Sequence, residues 1–316
     1  MSERWQPPPE PEEGVLAWNV NTACNYRCSY CTQRFKDDRG RWSRDTPEFL
    51  RAFARLPGAW EVKLSGGEPF VHPTLFEIVE GIVEIGHRVS VVTNFSASDA
   101  ALERFVAAGA GRIGTFSASL HLEYVDDVGA FARRARALRS ALERARDPNL
   151  PRPNVCVTTV ATRAALPRLT ALRALFEEHG VDFKVQPERD DGKLTEYSPA
   201  ERELLESLGG HNGTGEVAHD FFGRPCWAGS RFLVMDDRGE IYRCYPARRG
   251  VLVALGRGGS RIPDPERERR LGRLGNFLDP AFCLGSSPKP CLFRHCYCTV
   301  PIARGMMARV ELGGDA

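Results

Sequence analysis

Glu61-Val62-Lys63-Leu64-Ser65-Gly66-Gly67-Glu68-Pro69 reads as a short strand that breaks into a glycine turn. Two adjacent glycines let the backbone come close to a neighbour at the carboxyl end of a strand, and Glu68 offers an acceptor there. Downstream the chain alternates: helix 74–85, strand 88–93, helix 99–108, strand 112–120, helix 125–146, strand 154–161, helix 166–179 and strand 181–186. Upstream lie a strand over 14–20 and a helix opened by Thr46-Pro47, an N-cap with proline at the first helical position. Runs such as Val89-Ser90-Val91-Val92-Thr93 are apolar and β-branched, as suits a parallel strand covered by helices. A complete eight-fold barrel takes roughly 250 residues, and the alternation stops short of that. The expected fold is α/β, an incomplete barrel of six β/α units, with a doubly wound open sheet as the alternative.

Past Ser198-Pro199 one more helix is expected, over 200–208, and then the chain changes character. It becomes rich in Gly, Pro and Cys, with a hairpin signal in Met235-Asp236-Asp237-Arg238-Gly239-Glu240. The expected division is a solvated, disordered or extended tail over 1–14, the barrel over 15–210, and a small Cys-rich α+β domain over 211–316. The last has few long apolar segments, so a metal centre could supply stability its core lacks. The eight arginines between Ala247 and Gly275, interleaved with Gly, Pro and Glu, read as a solvated loop.

Composition narrows the function. The chain has 316 residues and a formal net charge of +2, which gives no electrostatic case for a nucleic-acid partner. No apolar run approaches the roughly 18 residues of a membrane span. Met1 to Gly14 is rich in Pro and Glu and lacks the apolar stretch of a signal peptide. A cytoplasmic location is therefore expected, where ten cysteines need a reason other than disulfides.

Three of them fall in Cys24-Asn25-Tyr26-Arg27-Cys28-Ser29-Tyr30-Cys31, spaced C-x3-C-x2-C just after the first strand. Clustered thiolates point to a soft metal or an iron–sulfur cluster, and three is one short of the usual four. A zinc knuckle would need a fourth ligand that no neighbouring residue supplies. A redox pair would need only C-x2-C.

The C-x3-C-x-aromatic-C loop after strand one, followed by GGEP after strand two, resembles the radical SAM (S-adenosylmethionine) superfamily, with a partial (β/α)6 TIM-type barrel. The resemblance implies that Cys24, Cys28 and Cys31 hold a [4Fe–4S] cluster whose fourth iron is chelated by S-adenosylmethionine. It implies that Tyr30 lies near the adenine and that Gly66, Gly67 and Glu68 bind the methionine amino group. Thr93-Asn94 stands where the family often has T-N-G, with Phe95 in place of the glycine. Ser119-Leu120-His121 stands where many members have S-x-D and a serine meets the ribose, with His121 replacing the acid. Gln186, ending strand six, is a further candidate for the cofactor pocket. The implied chemistry is reductive cleavage of S-adenosylmethionine to a 5′-deoxyadenosyl radical, fed by an electron donor such as flavodoxin or ferredoxin.

Cys226 and Cys244 flank the expected hairpin, and Cys283, Cys291, Cys296 and Cys298 follow. This set resembles the twitch and SPASM extensions of some radical SAM enzymes, which carry auxiliary iron–sulfur clusters. Six thiols and a terminal C-x4-C-x-C spacing depart from a full SPASM set, so one auxiliary [4Fe–4S] cluster is expected. Its ligands are sought among Cys226, Cys244, Cys291, Cys296 and Cys298, with Cys283 as bystander and a zinc ribbon as the alternative. Cys156, inside a strand, reads as a buried small hydrophobe. The expected function is an oxidoreductase acting on a small polar substrate such as a sugar, cyclitol or natural-product precursor. A peptide- or protein-modifying enzyme is the second reading, and a non-catalytic metal-binding or redox-carrier protein the third.

Overall fold

The structure, a computed structural model, describes residues 7–31, 33, 42–190, 193–208, 221–254, 266, 270, 272–293, 300–301 and 304–308. The chain falls into two compact units, one spanning 18–214 and the other formed by 1–17 together with 215–316. Strand β1 (Glu13–Asn21) bridges the division in sequence, giving its residues from Trp18 onward to the first unit.

The first unit repeats a strand–helix step. After β1 come α1 (Trp42–Phe53), β2 (Ala59–Gly66), α2 (Leu75–Glu84), β3 (Arg88–Thr93) and α3 (Asp99–Ala108). Then follow β4 (Ile113–Ser119), α4 (Val128–Ala145), β5 (Asn154–Ala161), α5 (Leu169–Glu178) and β6 (Asp182–Pro187). A two-stranded hairpin, β7 (Arg189–Asp190) with β8 (Lys193–Leu194), and α6 (Pro199–Ser207) complete it. Strands pair in the order β1-β2-β3-β4-β5-β6, and β2 through β6 are parallel. Sequential order has no reversal point, and a doubly wound sheet needs one. Among the described residues β6 does not pair back onto β1, so the barrel is incomplete rather than closed.

Apolar side chains explain the layering. Trp18 on β1 is buried against Phe49 and Phe53 of α1, with ring centroids 4.5 and 5.4 Å away. Helix α4 buries one stripe, Phe131, Ala132, Ala135, Leu138 and Leu142, at the three- and four-residue spacing of a helix face. Cys156 is buried in β5, packed as a small hydrophobe. Helix starts are capped where the sequence offers caps: Ser98 for α3, Asp127 for α4, and a Ser198–Glu201 capping box for α6.

Two local expectations change. Helix α1 begins at Trp42, so Pro47 lies inside it. Thr46 is not its N-cap; it is buried, and its hydroxyl pairs with that of Thr74 at 2.7 Å. The amino-terminal stretch, over its described residues, is no free tail. Trp227 Nε1 donates to the Pro8 carbonyl at 3.0 Å, and Arg231 pairs with Glu10.

The second unit is built from short elements: β9 (Pro225–Cys226), β10 (Phe232–Met235), β11 (Glu240–Tyr242), α7 (Tyr245–Ala254), β12 (Arg273–Asn276) and β13 (Lys289–Pro290). Strands β10, β11 and β12 form an antiparallel meander, with the expected hairpin turn closed between Met235 and Glu240. Strand β13 pairs with β9, Lys289 opposite Cys226. Its buried cluster joins Val15, Phe221, Trp227, Phe232, Met306 and Met307 to three cysteines.

Candidate active site

The glycine turn at the end of β2 is shaped by its neighbour in the chain fold. Gly66 has φ +125°, a region that favours glycine. A Cβ there would lie 2.2 Å from the Asn21 carbonyl oxygen, and one at Gly67 would lie 1.9 Å from that of Ala23. Both glycines are thus demanded by the backbone of 21–23, which leads into the cysteine loop. Gly67 N donates to Asn21 O at 3.0 Å and Glu68 N to Ala23 O at 2.8 Å. Asn21 Nδ2 donates to Glu68 O at 2.9 Å, while its buried Oδ1 has no partner among the described residues.

The Glu68 carboxylate is 0% exposed and ties β2 to β3. It accepts from Phe70 N at 3.0 Å, Thr93 Oγ1 at 2.7 Å and Asn94 N at 2.6 Å. Burial pushes its pKa up, and the three donors pull it part of the way back. Phe95, in the position where the family often has a glycine, takes a left-handed backbone (φ +60°), a region that favours glycine. Its ring is buried against Phe116 and Phe131, and Arg134 lies over it while donating to its carbonyl at 2.8 Å.

The cysteine loop is held from two sides. From β3, Asn94 Nδ2 donates to Asn25 Oδ1 at 2.8 Å, and Asn25 Nδ2 donates to Ser96 Oγ at 2.8 Å. From the segment after β4, the Glu123 carboxylate accepts the Ser29 amide at 3.0 Å and the Ser29 hydroxyl. Tyr124 accepts the Arg27 amide at 2.7 Å and stacks on Tyr26 with centroids 4.0 Å apart. His121 Nδ1 lies 2.7 Å from the Tyr30 hydroxyl and 3.2 Å from Cys28 Sγ. Burial raises the pKa of Cys24, pushes that of Cys28 up to about 11, and lowers that of His121.

These residues fit an iron–sulfur cluster by the chemistry of their donors. Three thiols stand in one loop, and the Tyr26 amide already points at Cys24 Sγ from 3.4 Å, the kind of N–H that stabilises a cluster thiolate. Ser119 and Gln186 lie half-buried toward the carboxyl ends of β4 and β6, at the edge that carries the glycine turn and Thr93. Glu123, Tyr124, Tyr26 and Asn25 were not anticipated. Their partners lie 69 to 98 positions away in sequence, so no local spacing reveals them. His72 is buried, and its Nδ1 faces the amide and hydroxyl of Thr74.

In the second unit, Cys226, Cys244 and Cys291 line one cavity together with Arg243, Phe293 and Met307. All three thiols are buried. Burial pushes the Cys226 pKa up to about 11 and raises that of Cys291, while the Arg243 guanidinium pulls both down. The Ala228 amide donates to Cys226 Sγ at 3.4 Å. Cys283 is exposed, its thiol near the Ala281 carbonyl. Cys296 and Cys298 lie outside the described residues. Among the described residues, no group of three or more His, Cys, Asp or Glu is arranged to hold a single metal ion. No described helix is long and apolar enough to cross a membrane.

Comparison with known proteins agrees with the cysteine loop and the glycine turn. Residues 18–163 match the family model "Radical SAM superfamily". A probable GTP 3',8-cyclase of Saccharolobus solfataricus is 33% identical over 137 residues, covering 40% of this chain and 43% of that protein. A PqqA peptide cyclase of Granulibacter bethesdensis is 29% identical over 126 residues, covering 39% of this chain and 33% of that protein. The chain thus matches less than half the length of either relative. Among solved structures, Streptococcus suis SuiB bound to S-adenosylmethionine shares the fold with a TM-score of 0.51 at 15% identity. That alignment covers 86% of this chain and 64% of SuiB, which has also been solved with its precursor peptide SuiA. Residues 18–163 thus carry a radical SAM domain.

Proposed function

We propose that this chain holds a [4Fe–4S] cluster on Cys24, Cys28 and Cys31, binds S-adenosylmethionine beside it, and oxidises a small polar substrate with the help of an auxiliary cluster. When bound, the cluster and S-adenosylmethionine supply reductive cleavage to a radical that takes a hydrogen atom from an unactivated C–H bond. The chain's own residues bind, orient and exclude water. The backbone of Gly66, Gly67 and Glu68, drawn up against 21–23, offers carbonyl oxygens for the methionine amino group. Thr93 and Asn94 hold the Glu68 carboxylate and so fix that turn. Tyr30, Ser119 and Gln186 complete the proposed pocket. Flavodoxin or ferredoxin in the cytoplasm would serve as electron donor.

The oxidase reading is carried by one observation, the convergence of three buried thiols on a single cavity in the second unit. A cluster there, with Cys296 or Cys298 as a fourth ligand, would accept the electron released when a carbinol radical of the substrate gives up its hydroxyl proton and becomes a carbonyl product. A second reading, modification of a peptide, is favoured by the similarity to a PqqA peptide cyclase. Anaerobic incubation of the reduced, reconstituted protein with S-adenosylmethionine is expected to release 5′-deoxyadenosine. Full iron loading without any release would remove both readings. Mass spectrometry of candidate sugars, cyclitols and peptides after that incubation separates the two.

A further inference from the structure

We infer that His121 caps Cys28 Sγ with a donated hydrogen bond and so raises the reduction potential of the cluster held there. The inference rests on the reading that Cys24, Cys28 and Cys31 hold a cluster. Three polar atoms meet at this point: Cys28 Sγ, the Tyr30 hydroxyl, and His121 Nδ1, which is 3.2 Å from the sulfur and 2.7 Å from the hydroxyl. An iron-bound thiolate has lone pairs and no proton to give. A bare Nδ1 lone pair facing it at that distance would repel it. The tautomer that suits the thiolate carries its proton on Nδ1, shared between the sulfur and the tyrosine oxygen.

The His121 ring is held for this role. It lies parallel to the Tyr30 ring with centroids 6.0 Å apart and meets Tyr26 edge-on at 5.7 Å. Donors to a cluster sulfur draw off electron density and favour the reduced state, which carries one more negative charge. His121 is a positioning residue, since it acts through Cys28.

The test is a redox titration of the full, reconstituted chain followed by electron paramagnetic resonance. The signal of this cluster is identified by its change on adding S-adenosylmethionine. H121L is expected to lower the potential so that, at the wild-type midpoint, the reduced-to-oxidised ratio falls about tenfold, which is about 59 mV for one electron. Y30F, which leaves the Nδ1–H to the sulfur alone, is expected to keep the potential at or above the wild-type value. H121N, whose amide N–H can replace the Nδ1–H, is expected to stay near the wild-type value. H121L protein with full iron and an unchanged potential overturns the inference, as does an H121N shift equal to that of H121L. Should H121L fail to load iron, a lowered potential in Y30F overturns it equally. A wild-type chain that takes up no iron at Cys24, Cys28 and Cys31 overturns the underlying reading instead.

Discussion

His87 stands in the turn before β3, 3% exposed, with Nε2 3.2 Å from the Phe53 carbonyl. Burial pulls its pKa below the ordinary 6.5. The unfolded chain therefore takes up a proton that the fold refuses. Stability is whole above about pH 6.5 and declines as pH falls below it, by up to about 1.4 kcal/mol per pH unit for one proton. H87Q keeps an N–H for Phe53 and has nothing to titrate, so its urea-denaturation midpoint should decline less between pH 7 and 5. His121, shifted in the same direction, leaves a residual slope. Glu68 invites a second test. In E68Q one acceptor becomes an N–H facing the donors of Phe70, Thr93 or Asn94, a loss of about 1–3 kcal/mol that thermal unfolding would register. Glu68 was visible in the sequence as an acceptor after a strand. Its three donors were not, because two of them come from the next strand's end.

The meeting of the β1 and β2 ends sets the geometry of the site. A methyl group at Gly67 would lie within 2.8 Å of both the Ala23 and Thr22 carbonyl oxygens, and backbone cannot step aside cheaply. G67A should keep most of its far-UV circular dichroism but lose iron uptake at Cys24, Cys28 and Cys31; normal uptake would show that the loop can tolerate displacement. The end of β3 poses a contest between strain and packing. Phe95 spends roughly 1–2 kcal/mol on a left-handed backbone, and removing its ring costs about 3–5 kcal/mol. F95A keeps the strain and loses the ring, whereas F95G loses both. F95G should therefore unfold at higher denaturant than F95A, although it has the smaller side chain. Strands β3 and β5 have the bounds read from their apolar, β-branched runs, because such runs carry their signal locally. Helix α1 was misplaced because Thr-Pro is a strong local start signal, and here Thr46 is instead buried against Thr74.

At the scale of the molecule, the two units differ in what sustains them. The first layers large aromatic residues, Trp18, Trp60, Phe105, Phe116 and Phe176, over six successive strands. The second gathers Cys226, Cys244 and Cys291 into the same buried cluster as Phe221, Trp227 and Phe232. The hairpin of this unit was legible from its turn residues, but its convergence of thiols depends on pairing β9 with β13, some sixty residues apart. A cluster bound by those thiols would couple iron content to folding of this unit alone. The reconstituted chain should hold about eight irons and C226A/C291A about four, since each cluster has four. Hydrogen exchange over 221–293 should then quicken in that variant and in iron-stripped wild type alike, while exchange over 59–187 stays slow. Equal protection of 221–293 with and without iron would mean that packing of Phe221, Trp227 and Phe232 suffices, and that the thiols serve chemistry without serving the fold.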